Sequence, residues 1–166
     1  MTENAERAAA APENQVDLAT FEVHGREYAI DVTQIREIVR GQEVTPLPKA
    51  PRLIEGVIDL RGRVVPVVDL GRALGAEPIA SGPATRIVLL EVDGLVVGLR
   101  VGGALEVRGA DASRLEAPPA LATHAGYDAV RAVVRREGAR PVLVLSLEHL
   151  LESVYRSALP AQGEPA

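Results

Sequence analysis

The chain has 166 residues, 47% of them hydrophobic, and no cysteine, so it can bury an ordinary core but cannot form disulfides or thiolate metal sites. Its formal charge of -5 and aromatic content of 2% argue against nucleic-acid binding, because the chain lacks both a general attraction to phosphate and base-stacking side chains. No apolar run is long enough for a membrane span or an export signal, so we expect a cytoplasmic protein without direct membrane insertion.

The two ends of the chain differ in composition from its middle. Residues 1–17 are rich in Ala, Glu, Asn and Pro without strand alternation, and residues 159–166 contain two prolines and a glycine. Both segments are predicted to be disordered tails around one domain at residues 18–158.

The first half of the domain contains β-hairpin patterns. Residues 18–23 and 28–32 are apolar runs on either side of a turn at residues 24–27. Ile35, Ile38 and Val39 have the three-and-four spacing of a single short helix.

Residues 56–74 combine an apolar hairpin with a cationic corner. The corner is Arg61-Gly62-Arg63, and Asp69 is placed to cap a helix that begins at Leu70. Such a hairpin is more typical of a binding surface than of a catalytic one.

A second set of hairpins follows in the other half. Residues 87–92 and 95–101 flank Asp93-Gly94, a strong hairpin signal, and Gly102-Gly103 indicates a bend in a strand. Residues 114–119 are predicted to be a loop.

The two halves resemble each other at a nearly constant offset. Gly25 and Gly94 each precede a strand by three residues, and these two glycines are 69 residues apart. The segments that begin at Val65 and Val142 both lead to a helix cap, and the two caps, Asp69 and Ser146, are 77 residues apart. The second half would therefore carry a longer loop within residues 108–125. Duplication and chance similarity between hairpins both explain this match. Five or so strands per half fit two small barrels packed together.

The motifs together resemble the CheW family, adaptors that couple chemoreceptors to the histidine kinase CheA. The similarity lies in residues 59–62, Asp-Leu-Arg-Gly where the family usually has Asn-Leu-Arg-Gly, in the Val-Val-Pro-Val-Val-Asp-Leu run at 64–70, and upstream in residues 28–32 and 35–38. It runs from about residue 21 to residue 155. Asp59 departs from the family by placing a carboxylate where an amide is usual.

The resemblance implies a fold, partners and site residues. The implied fold is mainly β, with two five-stranded SH3-like barrels and short helices, divided at about residues 18–80 and 81–158 and intertwined. The implied partners are the cytoplasmic tip of a methyl-accepting chemotaxis receptor and a CheA-type kinase. The receptor would bind at Arg61, beside the groove between the barrels, with Glu37 as the opposite charge and Gly62, Ile35, Ile38, Val57 and Asp59 around them. The kinase would bind near Val44, Thr45 and Leu47. Val68 is more consistent with core packing.

Other interpretations remain open from the residues alone. Arg61 could be a solvated turn side chain and Glu37 a surface residue. The three histidines lack metal-ligand spacing, and Asp31, Asp59 and Asp69 are better explained as a strand residue, an arginine partner and a helix cap than as a carboxylate site. No nucleophile elbow or phosphate loop is present, so we expect no enzyme activity, metal or cofactor. The alternative function is a ligand-binding or hydrolytic barrel protein with its site between the two halves.

Overall fold

The computed structural model describes residues 14–118 and 129–158. Two of the predicted hairpins form at the expected places. Strands β1 (Gln15–Val23) and β2 (Arg26–Asp31) are joined by His24 and Gly25, at φ angles of 49° and 80°. Strands β6 (Arg86–Val92) and β7 (Leu95–Asp111) are joined by Asp93-Gly94, at 51° and 78°. Paired positive φ angles match the twist of two-residue hairpin turns, and glycine adopts the second at no steric penalty.

The predicted helix at Ile35, Ile38 and Val39 is wrong. These residues form strand β3 (Ile35–Arg40), which follows a short 3-10 turn (Val32–Gln34). Burial alternates along β3, with every second residue half-buried, and the strand pairs with β6. Pairing with a distant strand, together with three β-branched side chains, overrides a spacing that three residues define only weakly.

The hairpin with the cationic corner forms as predicted. Strands β4 (Ile54–Leu60) and β5 (Arg63–Asp69) are followed directly by the four-residue helix α1 (Leu70–Ala73). The Asp69 side chain accepts a hydrogen bond from the backbone N–H of Arg72, which confirms it as the helix cap.

The remaining elements are short. They are a second 3-10 turn (Ala112–Arg114), β8 (Leu115–Glu116), β9 (Val130–Val134), β10 (Val142–Leu145) and helix α2 (Leu147–Ala158). The loop predicted at residues 114–119 therefore contains β8, which pairs with β9. Residues 108–111 of the predicted longer loop belong to β7, and residues 119–125 lie outside the described part of the chain.

The strands form two small curled sheets. In the central barrel, strands pair in the order β3-β6-β7-β5-β4, and a bridge between Thr45 and Val57 brings the chain after β3 onto β4. In the terminal barrel, the order is β7-β1-β2-β10-β9-β8. The expected two-barrel fold is thus confirmed. The central barrel has the expected five strands, and the terminal barrel has a sixth, the two-residue β8.

Strand β7 belongs to both barrels. Its first part pairs with β6, and after a bend at Gly102-Gly103 its second part pairs with β1. Gly103 has a φ of 83°, a conformation that favours glycine at this bend. Because β7 contributes to both barrels, the terminal barrel contains β1 and β2 together with β8, β9 and β10. The two barrels are therefore intertwined along the chain and are not divided at residue 80.

The pairing registers agree with the internal repeat. Val39 pairs with Ile87 in the central barrel, and Arg108 pairs with Leu18 in the terminal barrel. Val39 and Arg108 are 69 residues apart, and so are Leu18 and Ile87. Val67 opposite Gly98 similarly matches Val144 opposite Ala29. The two barrels therefore share one strand plan in these pairs, in agreement with the repeat seen in the sequence.

Three apolar clusters hold the barrels. One fills the central barrel around Val65 and Ile87, and a second fills the terminal barrel around Leu18 and Val144. The largest lies between the barrels and contains Phe21, the only phenylalanine, together with Val68, whose predicted packing role is confirmed. Strand β1 starts at Gln15, so residues 15–17 of the predicted N-terminal tail belong to this strand.

Candidate protein-docking site

The turn between β4 and β5 is a tight two-residue corner. Arg61 and Gly62 have φ angles of 52° and 83°, and the Asp59 carboxylate accepts a hydrogen bond of 2.9 Å from the backbone N–H of Gly62. A positive φ is unusual for an arginine, so the hairpin must hold Arg61 in this conformation. Asp59 supports the turn instead of forming the predicted ion pair with a neighbouring arginine.

Arg61 and Glu37 form a two-pronged ion pair across two strands. Arg61 Nη1 lies 3.0 Å from Glu37 Oε1, and Nη2 lies 2.5 Å from Oε2. The hydrogen bond from Arg61 lowers the pKa of Glu37 below its ordinary value, and the same bond raises the pKa of Arg61. The Arg61 side chain is 70% exposed, so the pair presents an oriented guanidinium to solvent.

This geometry leaves Arg61 able to bind a partner. A guanidinium has five N–H donors, and the contacts with Glu37 use one on each terminal nitrogen. The remaining donors are available to an incoming carbonyl or carboxylate. Glu37 therefore orients the guanidinium without occupying all of it.

The other residues predicted for the receptor surface do not all face the same way. Ile35 packs against the cluster between the barrels. Ile38 is 41% exposed and lies on the opposite face of β3 from Glu37, because successive strand residues alternate. Val57 is half-buried on the outer face of the hairpin.

The residues predicted for the kinase surface lie directly beside Val57. The backbone groups of Thr45 and Val57 exchange two hydrogen bonds of 2.9 Å each. Val44 packs against the core of the central barrel, and Leu47 is 44% exposed. Thus the sets predicted separately for receptor and kinase meet at the Thr45–Val57 bridge.

Val64 is an exposed apolar residue that the sequence interpretation did not single out. It is 66% exposed and lies directly opposite Asp59. On the same face of β5, Pro66 is half-buried and Val68 is in the cluster between the barrels. The signal was available, since strict alternation places Val64 opposite in direction to the buried Val65 and Val67.

A buried polar network lies next to this hairpin. The Asp69 carboxylate accepts hydrogen bonds from the backbone N–H of Arg72 and of Ile79, and Arg100 Nη1 lies 2.7 Å from Glu55 Oε1 and 3.8 Å from Asp69 Oδ2. Arg100 also donates to Ser81 Oγ. These contacts tie the segment after α1 to β4, β5 and β7.

The ranges 14–118 and 129–158 contain no group of three or more His, Asp or Glu residues able to hold a metal ion. A His24 ring nitrogen lies 2.7 Å from the carbonyl oxygen of Glu77, and His149 Nδ1 lies 2.8 Å from Ser146 Oγ at the start of α2. His124 lies outside the described residues. None of the helices in the described ranges combines the length and the apolar character needed to span a bilayer.

Comparison with known proteins agrees with this geometry. The family model for the CheW-like domain matches residues 17–155. The chain belongs to the CheW-like family.

Individual relatives extend over most of the chain. The chain is 31% identical to the chemotaxis protein CheW of Rhizobium meliloti over 144 residues, covering 86% of this chain and 91% of the relative. It is 29% identical to the protein FrzA of Myxococcus xanthus over 153 residues, covering 92% and 94%. The crystal structure of the scaffolding protein TtCheW from Thermoanaerobacter tengcongensis matches with a TM-score of 0.75 at 28% identity, covering 82% of this chain and 92% of that one. These similarities place the chain among chemotaxis-type coupling and scaffold proteins.

Proposed function

We propose that this chain couples a chemoreceptor tip to a CheA-type histidine kinase without catalysing a reaction itself. The observation that carries the proposal is the Arg61–Glu37 pair at a hairpin turn of a CheW-like domain. The same hairpin carries the exposed apolar Val64. A fixed charged group beside apolar surface is typical of a protein interface.

The mechanism is geometric. Individually modest contacts with the receptor and with the kinase hold the two partners at high effective concentration. A rearrangement of the receptor then changes the kinase through the shared adaptor, at signalling arrays in the cytoplasm to which the chain is recruited by its partners.

The receptor surface contains Arg61, Gly62 and Glu37. Glu37 orients the guanidinium, and the free N–H donors of Arg61 bind a carbonyl or carboxylate of the receptor. Ile35 contributes by fixing β3 against the core between the barrels, and Ile38 offers apolar contact on the other face of that strand.

The kinase surface is the outer face of β4 and β5, extended by the segment that contains Thr45. Its members are Thr45, Leu47 and Val64, and Val44 anchors the segment to the core of the central barrel. Val57, which the family resemblance places at the receptor surface, is included here because it pairs directly with Thr45. A surface of this kind fits a second barrel domain that packs against it, because its partly paired strands present both apolar side chains and backbone groups.

The test is a titration of kinase autophosphorylation against the concentration of this chain, in the presence of the receptor and kinase encoded with it. Activity should rise and then fall, because excess adaptor occupies receptors and kinases separately. A flat response, or turnover of a metabolite by the purified chain alone, would contradict the proposal and favour the ligand-binding or hydrolytic alternative.

Substitutions locate the receptor surface within the same assay. Arg61→Ala should weaken receptor binding about thirtyfold, as truncation of a charged interface anchor does, and Glu37→Lys should weaken it as well. Arg36→Ala is the matched control, because Arg36 is a similarly exposed arginine that pairs with Glu91 at 2.5 Å on the other side of β3. All three variants should keep nearly the wild-type melting temperature, since exposed ion pairs contribute little to stability. Intact receptor binding by Arg61→Ala would show that the site is elsewhere.

A further inference from the structure

Asp59 is a charged residue on the otherwise apolar outer face of the central hairpin. It lies directly opposite Val64 in the pairing of β4 with β5, and the neighbouring pair on this face is Val57 opposite Pro66. Both Asp59 and Val64 are exposed. The face therefore combines one carboxylate with three apolar side chains.

Asp59 carries a charge that the described residues leave without a counter-charge. Within residues 14–118 and 129–158, no ion pair involves Asp59. The nearest arginines in sequence are directed away from Asp59. Arg61 pairs with Glu37, and Arg63, opposite Leu60, points to the other face of the hairpin.

The carboxylate is also held in a fixed orientation. Its Oδ1 accepts the 2.9 Å hydrogen bond from Gly62 N, whereas no hydrogen bond of the described residues involves Oδ2. A fixed group loses little conformational freedom on binding, so an interaction made through Oδ2 would be favourable.

We infer that Asp59 selects a kinase domain that places a lysine or arginine against its carboxylate and an apolar side chain against Val64. This inference rests on the proposed function and adds the chemistry of the partner. A carboxylate that enters an apolar interface without a counter-charge loses its hydration and opposes binding. A partner cation removes that penalty, and the surrounding apolar side chains strengthen the pair by excluding water. The family resemblance alone would place Asp59 and Val57 near the receptor. We assign their face to the kinase instead, because it is continuous with Thr45 through Val57, whereas the Arg61 guanidinium extends toward β3.

Substitution of Asp59 distinguishes the effect of its charge from the effect of its hydrogen bond to Gly62 N. Asp59→Asn keeps an oxygen that accepts the hydrogen bond from Gly62 N, and it removes only the charge. Asp59→Ala removes both. Isothermal calorimetry of the full chain should be run against the adaptor-binding domain of the kinase and, separately, against the cytoplasmic fragment of the receptor.

The expected result distinguishes the two partners. Asp59→Asn should weaken kinase binding by about tenfold at low salt, with a smaller effect at higher salt. It should weaken receptor binding much less and keep the wild-type melting temperature, because the asparagine oxygen still accepts the bond from Gly62 N that supports the Arg61 turn. Val64→Ala should also weaken kinase binding. Replacing the partner's cation with alanine should weaken wild type but not Asp59→Asn.

Three outcomes overturn the inference. Wild-type affinity of Asp59→Asn for the kinase would show that the charge has no partner, and a loss confined to the receptor would assign Asp59 to the other surface. If the wild-type chain binds neither protein, the proposed function fails and the inference fails with it.

Discussion

The buried carboxylate of Asp69 should contribute more to stability than any exposed helix or turn cap in this chain. Its side chain is 1% exposed and accepts hydrogen bonds of 3.1 Å from Arg72 N and from Ile79 N. Asp69→Ala would leave the buried N–H of Ile79 and the start of α1 without acceptors, and it would remove one of the two carboxylates beside Arg100. Hydrogen bonds to a charged acceptor each contribute about 1.5–3 kcal/mol, so we expect a loss of roughly 3–5 kcal/mol.

Urea denaturation followed by circular dichroism measures this loss. With a slope typical of small proteins, the midpoint should fall by about 2 M. Asp69→Asn should lose less, because one acceptor oxygen remains. Asp31→Ala is the matched control, since Asp31 caps the first 3-10 turn by accepting bonds from Thr33 N and Thr33 Oγ1 near the surface, and its loss should be about 1 kcal/mol. If Asp69→Ala is no more destabilising than this control, the network does not stabilise the segment after α1.

Three further predictions concern the site and the ends of the chain. Gly56→Ala should destabilise the protein by about 1–3 kcal/mol and weaken kinase binding, because the added methyl would lie 2.2 Å from the carbonyl oxygen of Thr45. Wild-type stability in denaturation together with wild-type kinase affinity in calorimetry would contradict this prediction. The Glu37 carboxyl should titrate at lower pH in wild type than in Arg61→Ala when followed by NMR. Its folded pKa is lowered from the ordinary value of 4.5, so the ion pair stabilises the fold above that pH and loses this contribution as the pH falls. Equal titration midpoints in the two proteins would refute the pairing. Deleting residues 2–13 should change the free energy of unfolding by less than about 1 kcal/mol. Deleting residues 2–16 should lower the free energy of unfolding, because β1 begins at residue 15. A large effect of the shorter deletion would show that the tail packs on the barrels.

The hairpins could be predicted from sequence because their signals are local. His24-Gly25, Arg61-Gly62 and Asp93-Gly94 each place a glycine at the second position of a two-residue turn, between apolar runs. Turn chemistry of this kind depends on neighbours within a few residues and little on the rest of the fold.

Strand β3 could not be predicted in this way. A segment of six residues is too short to distinguish the hydrophobic repeat of a helix from that of a strand. The interaction that decides is the pairing with β6, about fifty residues away. The ladder between β3 and β6 satisfies backbone groups that an isolated helix of this length would leave largely to water.

The candidate site was predicted as a set of residues but not as an arrangement. The resemblance indicated both Arg61 and Glu37, yet their direct ion pair depends on β3 and the β4–β5 turn meeting at one end of the central barrel. The contact of Thr45 with Val57 likewise depends on the path of the chain between β3 and β4, which no local pattern reveals. The exposure of Val64, in contrast, was predictable from its alternation with the buried Val65 and Val67.

The exchange of strands through β7 imposes an order on folding during synthesis. Every strand of the central barrel lies within residues 35–101, so this barrel can close while the later chain is still being made. In contrast, β2 waits for β10, its parallel neighbour, which ends at Leu145. A nascent chain that stops short of β10 therefore exposes an edge of β2 to other chains, and we expect truncated products to aggregate or be degraded although their central barrel is complete.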